Sequence, residues 1–202
     1  MVFVVGIGPG NKEYMLKIAE KTLINSDYVL GFERALKTIE DLDLNIVKIN
    51  SLKETLDFIE NNEGNISVIA SGDPLFYGIT EYLKKNTSKE IKVIPGISSF
   101  QYLSSKLLVS WNGAYLGSMH GREEDFINSV RENKKSFWLT DKKNTPSYLC
   151  KVLKDNNVNC KVTIGENLSY EDEIITIGKP EELLEKEFSN LSVMVVEVIW
   201  DL

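Results

Sequence analysis

Cysteine and histidine are scarce in this sequence, which has two cysteines and one histidine among its 202 residues. Cys150 and Cys160 are too few for a disulfide framework, and their spacing matches no metal-binding motif. We therefore expect reduced thiols in a reducing compartment and no metal site. The single histidine, His120, forms no convincing hydrolase constellation with other residues, so nucleophilic triad chemistry is not expected.

Positive charge and long apolar runs are also lacking. Lysine and arginine total 23 against 30 acidic residues, which gives a net charge of −7. Nucleic-acid binding requires clustered cationic side chains, so this balance argues against a nucleic-acid partner. It does not exclude an anionic ligand, because a local cationic pocket can form on an acidic protein. Apolar runs of strand length and the lack of a basic leader predict a soluble, cytoplasmic protein with no membrane span.

Short apolar runs alternate with amphipathic segments, such as the helix face formed by Leu16, Ala19 and Leu23. Because the runs are continuously apolar, we expect strands covered on both faces. This alternation predicts an α/β fold of two domains, with mostly parallel sheets and an interdomain cleft. The Asn-Gly turn within Val109–Gly113 predicts the boundary, giving domains 1–110 and 111–202. The expected strands are Val2–Ile7, Tyr28–Leu30, Ile46–Ile49, Ile66–Ala70, Ile91–Ile94, Ala114–Gly117, Ser136–Leu139, Lys161–Ile164, Ile174–Ile177 and Ser192–Ile199.

A glycine-rich turn, Gly6–Gly10 (GIGPG), follows the first expected strand. A dinucleotide-binding fingerprint requires a third glycine where this chain has Asn11, and Pro9 interrupts the turn. Glu33 is at best a weak candidate for the acidic ribose partner of a nicotinamide cofactor. A tight structural turn and a ligand-binding loop both remain open, and the dinucleotide interpretation is the least favoured.

Two further glycine-bearing turns follow the fourth and fifth expected strands: Ser71–Gly78 (SGDPLFYG) and Ile94–Gln101 (IPGISSFQ). Asp73 is a good N-cap for a helix that begins at Pro74 and runs to about Lys85, and Ser98 or Ser99 can cap the next helix. Ligands of open α/β sheets bind at the carboxyl ends of strands. Three such turns in one half of the chain are more than helix capping requires.

These motifs resemble those of the tetrapyrrole methylase family, over essentially the whole chain. The matching stretches are GIGPG, SGDPLFYG and VIPGISS, followed by SMHGR at 118–122, LTD at 139–141 and GENLSY at 165–170. The resemblance implies S-adenosyl-L-methionine as the methyl donor and an anionic tetrapyrrole as the substrate. The later motifs are similar to those of the branch that methylates carbon 5 of cobalt-precorrin-7 in cobalamin biosynthesis. The family also implies a homodimer, and an exposed apolar C-terminal strand at Val193–Trp200 would be compatible with it.

The resemblance also implies site residues, position by position. The donor contacts would be Pro9, Gly72, Asp73, Pro74, Tyr77, Ser98 and Ser99, with Leu139 and Leu168 from the second domain. For the substrate of this family, our own hypothesis is contact with Gly8, His120 and Arg122, the last because a guanidinium binds carboxylates in a bidentate manner. The proton acceptor is unassigned, with His120 and Glu166 as candidates.

Three other activities stay open as alternatives. Diphthine synthase and ribosomal RNA methyltransferase would share the donor site, although the acidic charge balance disfavours RNA. A nicotinamide-dependent oxidoreductase would require glycine at Asn11.

Overall fold

The computed structural model describes residues 1–122 and 124–199. The chain divides into two compact units, Met1–Ser99 and Phe100–Leu202. This division falls at the start of helix α5 (Ser99–Leu107), whereas the sequence pattern placed the boundary after the end of that helix. Each unit contains one five-stranded sheet, and each of the ten strands expected from the apolar runs corresponds to a strand of the structure.

The first unit is built on a parallel sheet with the strand order β3-β2-β4-β1-β5. Every pairing in it is parallel, which confirms the sequence-based expectation for this unit. The strands are β1 (Val2–Gly6), β2 (Tyr28–Gly31), β3 (Ile46–Lys48), β4 (Ile66–Ala70) and β5 (Ile91–Ile94). The helices are α1 (Lys17–Ile24), α2 (Glu33–Leu36), α3 (Leu52–Asn61) and α4 (Thr80–Asn86), with 3₁₀ turns at Lys12–Tyr14 and Lys37–Ile39.

Helices cover both faces of this sheet at its centre, where β1 and β4 are mostly apolar and buried, whereas the edge strands β3 and β5 each carry an exposed lysine, Lys48 and Lys92. Val4 packs in one buried cluster with Ile59 of α3 and Leu83 of α4. Its neighbour Val5 packs in the other cluster with Leu23 of α1. The chain leaves β1 towards β2 but leaves β4 towards β5, in the opposite direction. The adjacent strands β1 and β4 therefore form a topological switch point, where open α/β sheets bind ligands.

The second unit contains a mixed sheet with the order β6-β7-β10-β8-β9. Only β6 and β7 pair in parallel, and the other three pairings are antiparallel. This sheet differs from the expected mostly parallel arrangement because β8 and β9 are joined directly, without a crossover helix. Its strands are β6 (Tyr115–Ser118), β7 (Lys135–Leu139), β8 (Cys160–Glu166), β9 (Ile174–Gly178) and β10 (Ser192–Val198). Its remaining helices are α6 (Phe126–Glu132), α7 (Pro146–Asp155) and α8 (Pro180–Leu183).

Strand β10 lies at the centre of the second sheet, so the expectation of an exposed strand at Val193–Trp200 is wrong for its described part. The four residues Val193–Val196 are buried between β7 and β8. The expectation failed because the position of a strand within a sheet depends on its partners and not on its own composition. Trp200 lies outside the described residues.

The two cysteines belong to the core of the second unit, where both are buried free thiols. Burial raises the pKa of Cys150 to about 12 and that of Cys160 to about 11. Within residues 1–122 and 124–199, no helix has the length and apolar character needed to cross a membrane.

Candidate functional site

Three loops meet at one edge of the first sheet, because β4, β1 and β5 are neighbouring parallel strands whose carboxyl ends share that edge. The loops after β1 and β4 are joined directly. The amide nitrogen of Gly72 donates to the carbonyl oxygen of Gly8 at 2.7 Å, and the amide of Gly8 donates back at 3.4 Å. This isolated antiparallel bridge spans the switch point between β1 and β4.

Glycines allow the three loops to pack backbone against backbone. A Cβ atom on Gly96 would lie 2.1 Å from the carbonyl oxygen of Gly72. A Cβ atom on Gly6 would lie 2.6 Å from the amide nitrogen of Gly96. Gly8 and Gly72 have left-handed backbone, with φ of +83° and +69°. The glycines at 6 and 96 are thus explained by loop packing alone, and those at 8 and 72 by backbone conformation.

Asp73 joins the β4 loop to the β5 loop through both oxygens of its carboxylate. Oδ1 accepts a hydrogen bond from the amide of Leu75 at 2.8 Å, within its own turn. Oδ2 accepts one from the amide of Gly96 at 3.1 Å. Asp73 therefore holds the shape of the edge, whether or not it also contacts a ligand.

The helix expected to begin at Pro74 begins only at Thr80, so that prediction is wrong. The chain makes a turn at 73–76 and then passes through Tyr77, whose φ of 55° is left-handed and cannot continue a right-handed helix. Gly78 follows because a Cβ there would lie 2.3 Å from the carbonyl oxygen of Pro74. The Thr80 hydroxyl donates to that same carbonyl at 2.8 Å, so Thr80 fixes this turn from the first residue of α4.

Tyr77 combines an unfavourable backbone with a half-buried ring at the strand edge. Its ring makes an edge-to-face contact with Phe76, with 5.0 Å between centroids. Left-handed conformations of bulky residues are uncommon and cluster at ligand sites. The remaining candidates of this unit are Pro9, which is half-buried, Ser98, which is buried, and Ser99, the first residue of α5. The structure thus brings all seven first-unit donor candidates to one sheet edge.

The residues that a nicotinamide site would use have other roles. Asn11 begins the 3₁₀ turn at Lys12–Tyr14, and its side-chain oxygen accepts from the amide of Glu13 at 2.9 Å. Glu33 forms an ion pair with Lys48 at 2.9 Å, and this partner holds the pKa of Glu33 below its usual value. The glycine turn is therefore followed directly by a short 3₁₀ turn and not by a long helix. The Glu33 carboxylate is already paired with the Lys48 ammonium.

In the second unit, the loop at 118–122 is held on the loop that follows β7. The amide of Met119 donates to the carbonyl of Leu139 at 2.8 Å, and the side-chain amide of Asn144 donates to the carbonyl of Met119 at 2.9 Å. The amide of Gly121 donates to the Asp141 carboxylate at 2.8 Å. Asp141 also accepts from the amide of Asn144 at 2.7 Å.

The amides of Asn144 and Gly121 lower the pKa of the Asp141 carboxyl group. The backbone hydrogen bonds from Asn144 and then Gly121 hold the pKa of Asp141 below its ordinary value of 3.8. A carboxylate held in the ionised form in this way is a poor proton acceptor near neutral pH. Asp141 is therefore a residue that fixes the two loops.

His120 has a defined ring orientation on an exposed loop. Its Nδ1 lies 3.1 Å from the carbonyl oxygen of Thr140. A carbonyl oxygen can only accept, so the neutral imidazole carries its proton on Nδ1 and leaves the lone pair of Nε2 available. Arg122, which is also exposed, lies two residues further along the same loop.

The other candidates of the second unit are more enclosed. Glu166 ends β8 at 9% exposure, and its carboxylate accepts from the amide of Ser189 at 2.8 Å. Leu139 ends β7 and is half-buried. Leu168 is 4% exposed and lies in the segment 167–173 between β8 and β9. The ion pair of Glu173, at the end of this segment, with Lys106 gives no signal in the sequence, because α5 is distant along the chain.

The sequence has close relatives among proteins of known family. The profile of the Tetrapyrrole (Corrin/Porphyrin) Methylases matches residues 1–184. A probable cobalt-precorrin-7 C(5)-methyltransferase from Methanocaldococcus jannaschii is 35% identical, over 98% of this chain and 98% of the relative. The cobalt-precorrin-7 C(5)-methyltransferase of Salmonella typhimurium is 31% identical, over 87% of this chain and 89% of the relative.

Solved structures share the fold. The precorrin-6Y methylase of cobalamin biosynthesis from Archaeoglobus fulgidus superposes with a TM-score of 0.79 at 23% identity, covering 99% of both chains. A uroporphyrin-III C-methyltransferase from Thermus thermophilus, complexed with S-adenosylhomocysteine, has a TM-score of 0.79 at 19% identity, covering 97% of this chain and 91% of that one. A diphthine synthase also has this fold, with a TM-score of 0.78 at 15% identity. Fold likeness alone therefore does not separate these activities.

Proposed function

Since the chain belongs to the tetrapyrrole methylase family, we propose that it is an S-adenosyl-L-methionine-dependent methyltransferase acting on carbon 5 of cobalt-precorrin-7 in cobalamin biosynthesis. The observation that carries this proposal is the joining of three glycine-bearing loops at one sheet edge, in a chain whose relatives carry that activity over nearly its whole length. The cobalt ion would arrive as part of the substrate.

The residues of the first-unit edge fit such a donor. Pro9 and Tyr77 are half-buried and offer apolar surface for an adenine ring, and backbone groups of the loops offer polar contacts for the ribose and the methionine end, whereas the side chains of Pro74 and Ser98 are buried. We propose these residues, with Gly72, Asp73 and Ser99, as donor contacts. For the second unit, the proposal is that Leu139 and Leu168 contact the donor.

The donor supplies an electrophilic methyl group on a positively charged sulfur. In the transfer, the sulfur–methyl bond breaks as a carbon–carbon bond forms, and the methylated ring carbon loses its proton to a base. The protein residues need form no covalent intermediate, because holding the two reactants in line and excluding water can supply most of the rate. The hydrogen-bonded loops at 8, 72 and 96 are suited to such rigid positioning.

The proton acceptor that the geometry favours is His120. Its Nδ1 proton is directed at the Thr140 carbonyl, so Nε2 is the basic atom. Glu166 is less suited, because it is buried at the end of β8 and its carboxylate already accepts from the amide of Ser189. We therefore assign proton removal to Nε2 of His120.

The substrate is a macrocycle with several carboxylate side chains, and the proposed group for binding one of them is the Arg122 guanidinium. Arg122 is exposed on the loop that also presents His120. Besides His120 and Arg122, we propose Gly8 as a substrate contact. Gly8 lies in the loop after β1, where it pairs with Gly72.

Among the alternatives, diphthine synthase shares the fold at low identity, whereas the cobalt-precorrin-7 relatives match at 31–35% identity. The acidic net charge of −7 disfavours an RNA substrate.

A homodimer and a cytoplasmic location are further parts of the proposal. Light scattering of the purified protein tests the dimer, for which a mass of one chain is the contradicting result.

Calorimetric titration with S-adenosylhomocysteine, with NAD as the control ligand, tests the donor class. Binding of the first without the second is expected, and the reverse result would overturn the proposal. Incubation with cobalt-precorrin-7 and S-adenosyl-L-methionine then tests the substrate. The product should gain the mass of one methyl group, and methylation of a different ring carbon, detected by carbon-13 NMR, would contradict the assignment to carbon 5.

A further inference from the structure

The segment 167–173 holds Leu168 between two residues of left-handed backbone. Asn167 has a φ of 46° and Ser169 a φ of 70°. Residues other than glycine adopt this region at a cost in free energy, and they persist only where surrounding contacts enforce the conformation. Contacts at both residues hold the backbone on either side of Leu168, and at Asn167 the amide donates to the carbonyl of Leu191 at 2.9 Å.

Glu173 accepts a hydrogen bond from the backbone at Ser169. Its Oε2 accepts a hydrogen bond from the Ser169 amide at 2.7 Å. Its Oε1 lies 3.4 Å from Nζ of Lys106 on α5, in an ion pair whose carboxylate side chain is only 18% exposed. One side chain thus joins the backbone beside Leu168 to α5.

Tyr102, one turn before Lys106 on α5, completes this group. It is 5% exposed, and Nζ of Lys106 lies 5.2 Å from its ring centre. Burial, and then its hydrogen bond to Glu173, raise the pKa of Tyr102 to about 12. Burial pushes the pKa of Glu173 upward, but the Ser169 amide, the Tyr102 hydroxyl and the Lys106 ammonium outweigh it and hold that pKa below its usual value. At neutral pH, Glu173 is therefore an anion held by three donors.

Leu168 itself packs on the same helix. A Cβ on Gly165 would lie 2.7 Å from Cδ2 of Leu168 and 3.0 Å from Cδ1 of Leu103 on α5, so these two leucines lie together over the glycine. Helix α5 begins at Ser99, which is a proposed donor contact. Glu173 therefore connects the backbone beside Leu168, one proposed donor contact, to α5, the helix that begins at Ser99, another proposed donor contact.

We propose that Glu173 is a positioning residue of the donor site, which sets the orientation of Leu168 through the Ser169 amide and anchors that segment to α5 through Lys106 and Tyr102. This inference rests on the proposed function, because Leu168 matters for binding only if it contacts the donor. Glu173 itself need not touch the donor.

The test compares Glu173→Gln with wild type. The amide retains the shape and one acceptor oxygen but loses the charge paired with Lys106. We expect the dissociation constant for S-adenosylhomocysteine and the KM for S-adenosyl-L-methionine to rise about tenfold, as for a lost hydrogen bond to a charged group. The KM for the tetrapyrrole should stay within about twofold of wild type, a split that general destabilisation would not produce. Glu171→Gln, an exposed neighbour in the same segment, is the matched control and should bind the donor normally.

Tyr102→Phe keeps the proposal testable if Glu173→Gln does not fold. This variant removes one donor to the carboxylate and keeps the buried ring, and it should weaken donor binding in the same direction by a smaller factor. If wild type binds S-adenosylhomocysteine and the folded variants bind it equally well, the role of Glu173 is rejected and the proposed function stands. If wild type does not bind it at all, the proposed function fails, and this inference with it.

Discussion

The amide of Gly72 donates to the carbonyl oxygen of Gly8 across 2.7 Å, and this bond joins the turns that follow β1 and β4. It lies where the crossover connections of the first sheet change direction. Gly96 packs directly under the Gly72 carbonyl. The turn at Gly6–Gly10 resembles a nucleotide-binding loop when it is considered alone. In the structure it is one of three loops that are packed together at the sheet edge, and glycines in all three loops allow this packing.

Substitution of Gly96 by alanine should disturb this edge more than a comparable change elsewhere. Its Cβ would meet the Gly72 carbonyl oxygen at 2.1 Å, so the loops must separate, and overpacking of this kind costs about 1–3 kcal/mol. The matched control is Gly113→Ala, where φ is +72° but nothing lies within 4 Å of the added atom. Urea unfolding should show a loss of stability in both variants, whereas S-adenosylhomocysteine affinity should fall only for Gly96→Ala. Equal donor affinity in the two would contradict the packing account.

Removal of the His120 imidazole should lower turnover without weakening donor binding. A positioned general base contributes about 10²–10⁴-fold to a rate, so kcat of His120→Ala should fall within that range. Steady-state methylation measured by mass spectrometry gives kcat, single-turnover methylation gives the rate of the chemical step, and calorimetry gives the donor affinity. Added imidazole should restore part of the lost rate. A normal kcat in His120→Ala would show that another group accepts the proton.

Arg122→Ala should raise the KM for the tetrapyrrole while the S-adenosylhomocysteine affinity stays intact. A charge-assisted hydrogen bond contributes about 1.5–3 kcal/mol, which corresponds to roughly a ten- to hundredfold change in affinity. Arg131→Ala serves as the control, because Arg131 is exposed on α6 and its guanidinium donates to the carbonyl of Asn156. An unchanged tetrapyrrole KM in Arg122→Ala would reject the anchoring role.

The depressed pKa of Asp141 predicts a pH dependence of stability. A carboxyl whose folded pKa lies below its unfolded value of 3.8 stabilises the fold above that pH, and the stabilisation is lost as the pH falls through the folded pKa. The free energy of unfolding of Asp141→Asn should therefore differ from wild type most at neutral pH, and the difference should narrow below about pH 4. Urea unfolding at several pH values measures this, with the exposed Asp155→Asn as the control. A difference that does not change with pH would show that the carboxylate charge is unimportant.

The strands were readable from the sequence because each contains a run of apolar side chains, which are buried in the central strands and partly exposed in the edge strands β3 and β9. The start of α4 could not be predicted from the sequence. Asp73 and Pro74 satisfy the local rules for a helix start, and nothing in the sequence indicates that Tyr77 adopts a left-handed backbone. The motifs placed the donor candidates at strand ends, and for the first unit the structure brings those residues to one edge. The ion pair of Glu173 with Lys106 has no local signal, since α5 precedes Glu173 by most of the second unit, and only its hydrogen bond from the Ser169 amide is local.

The central place of β10 has a consequence for the order in which the chain can fold during synthesis. The first sheet has all its strands once β5 has left the ribosome, so the first unit can complete its hydrogen-bonded ladder early. In the second unit, β10 lies between β7 and β8 and pairs with both, so it joins the β6–β7 pair to the β8–β9 pair. Until β10 emerges, the facing edges of β7 and β8 are unpaired, and unpaired strand edges favour aggregation.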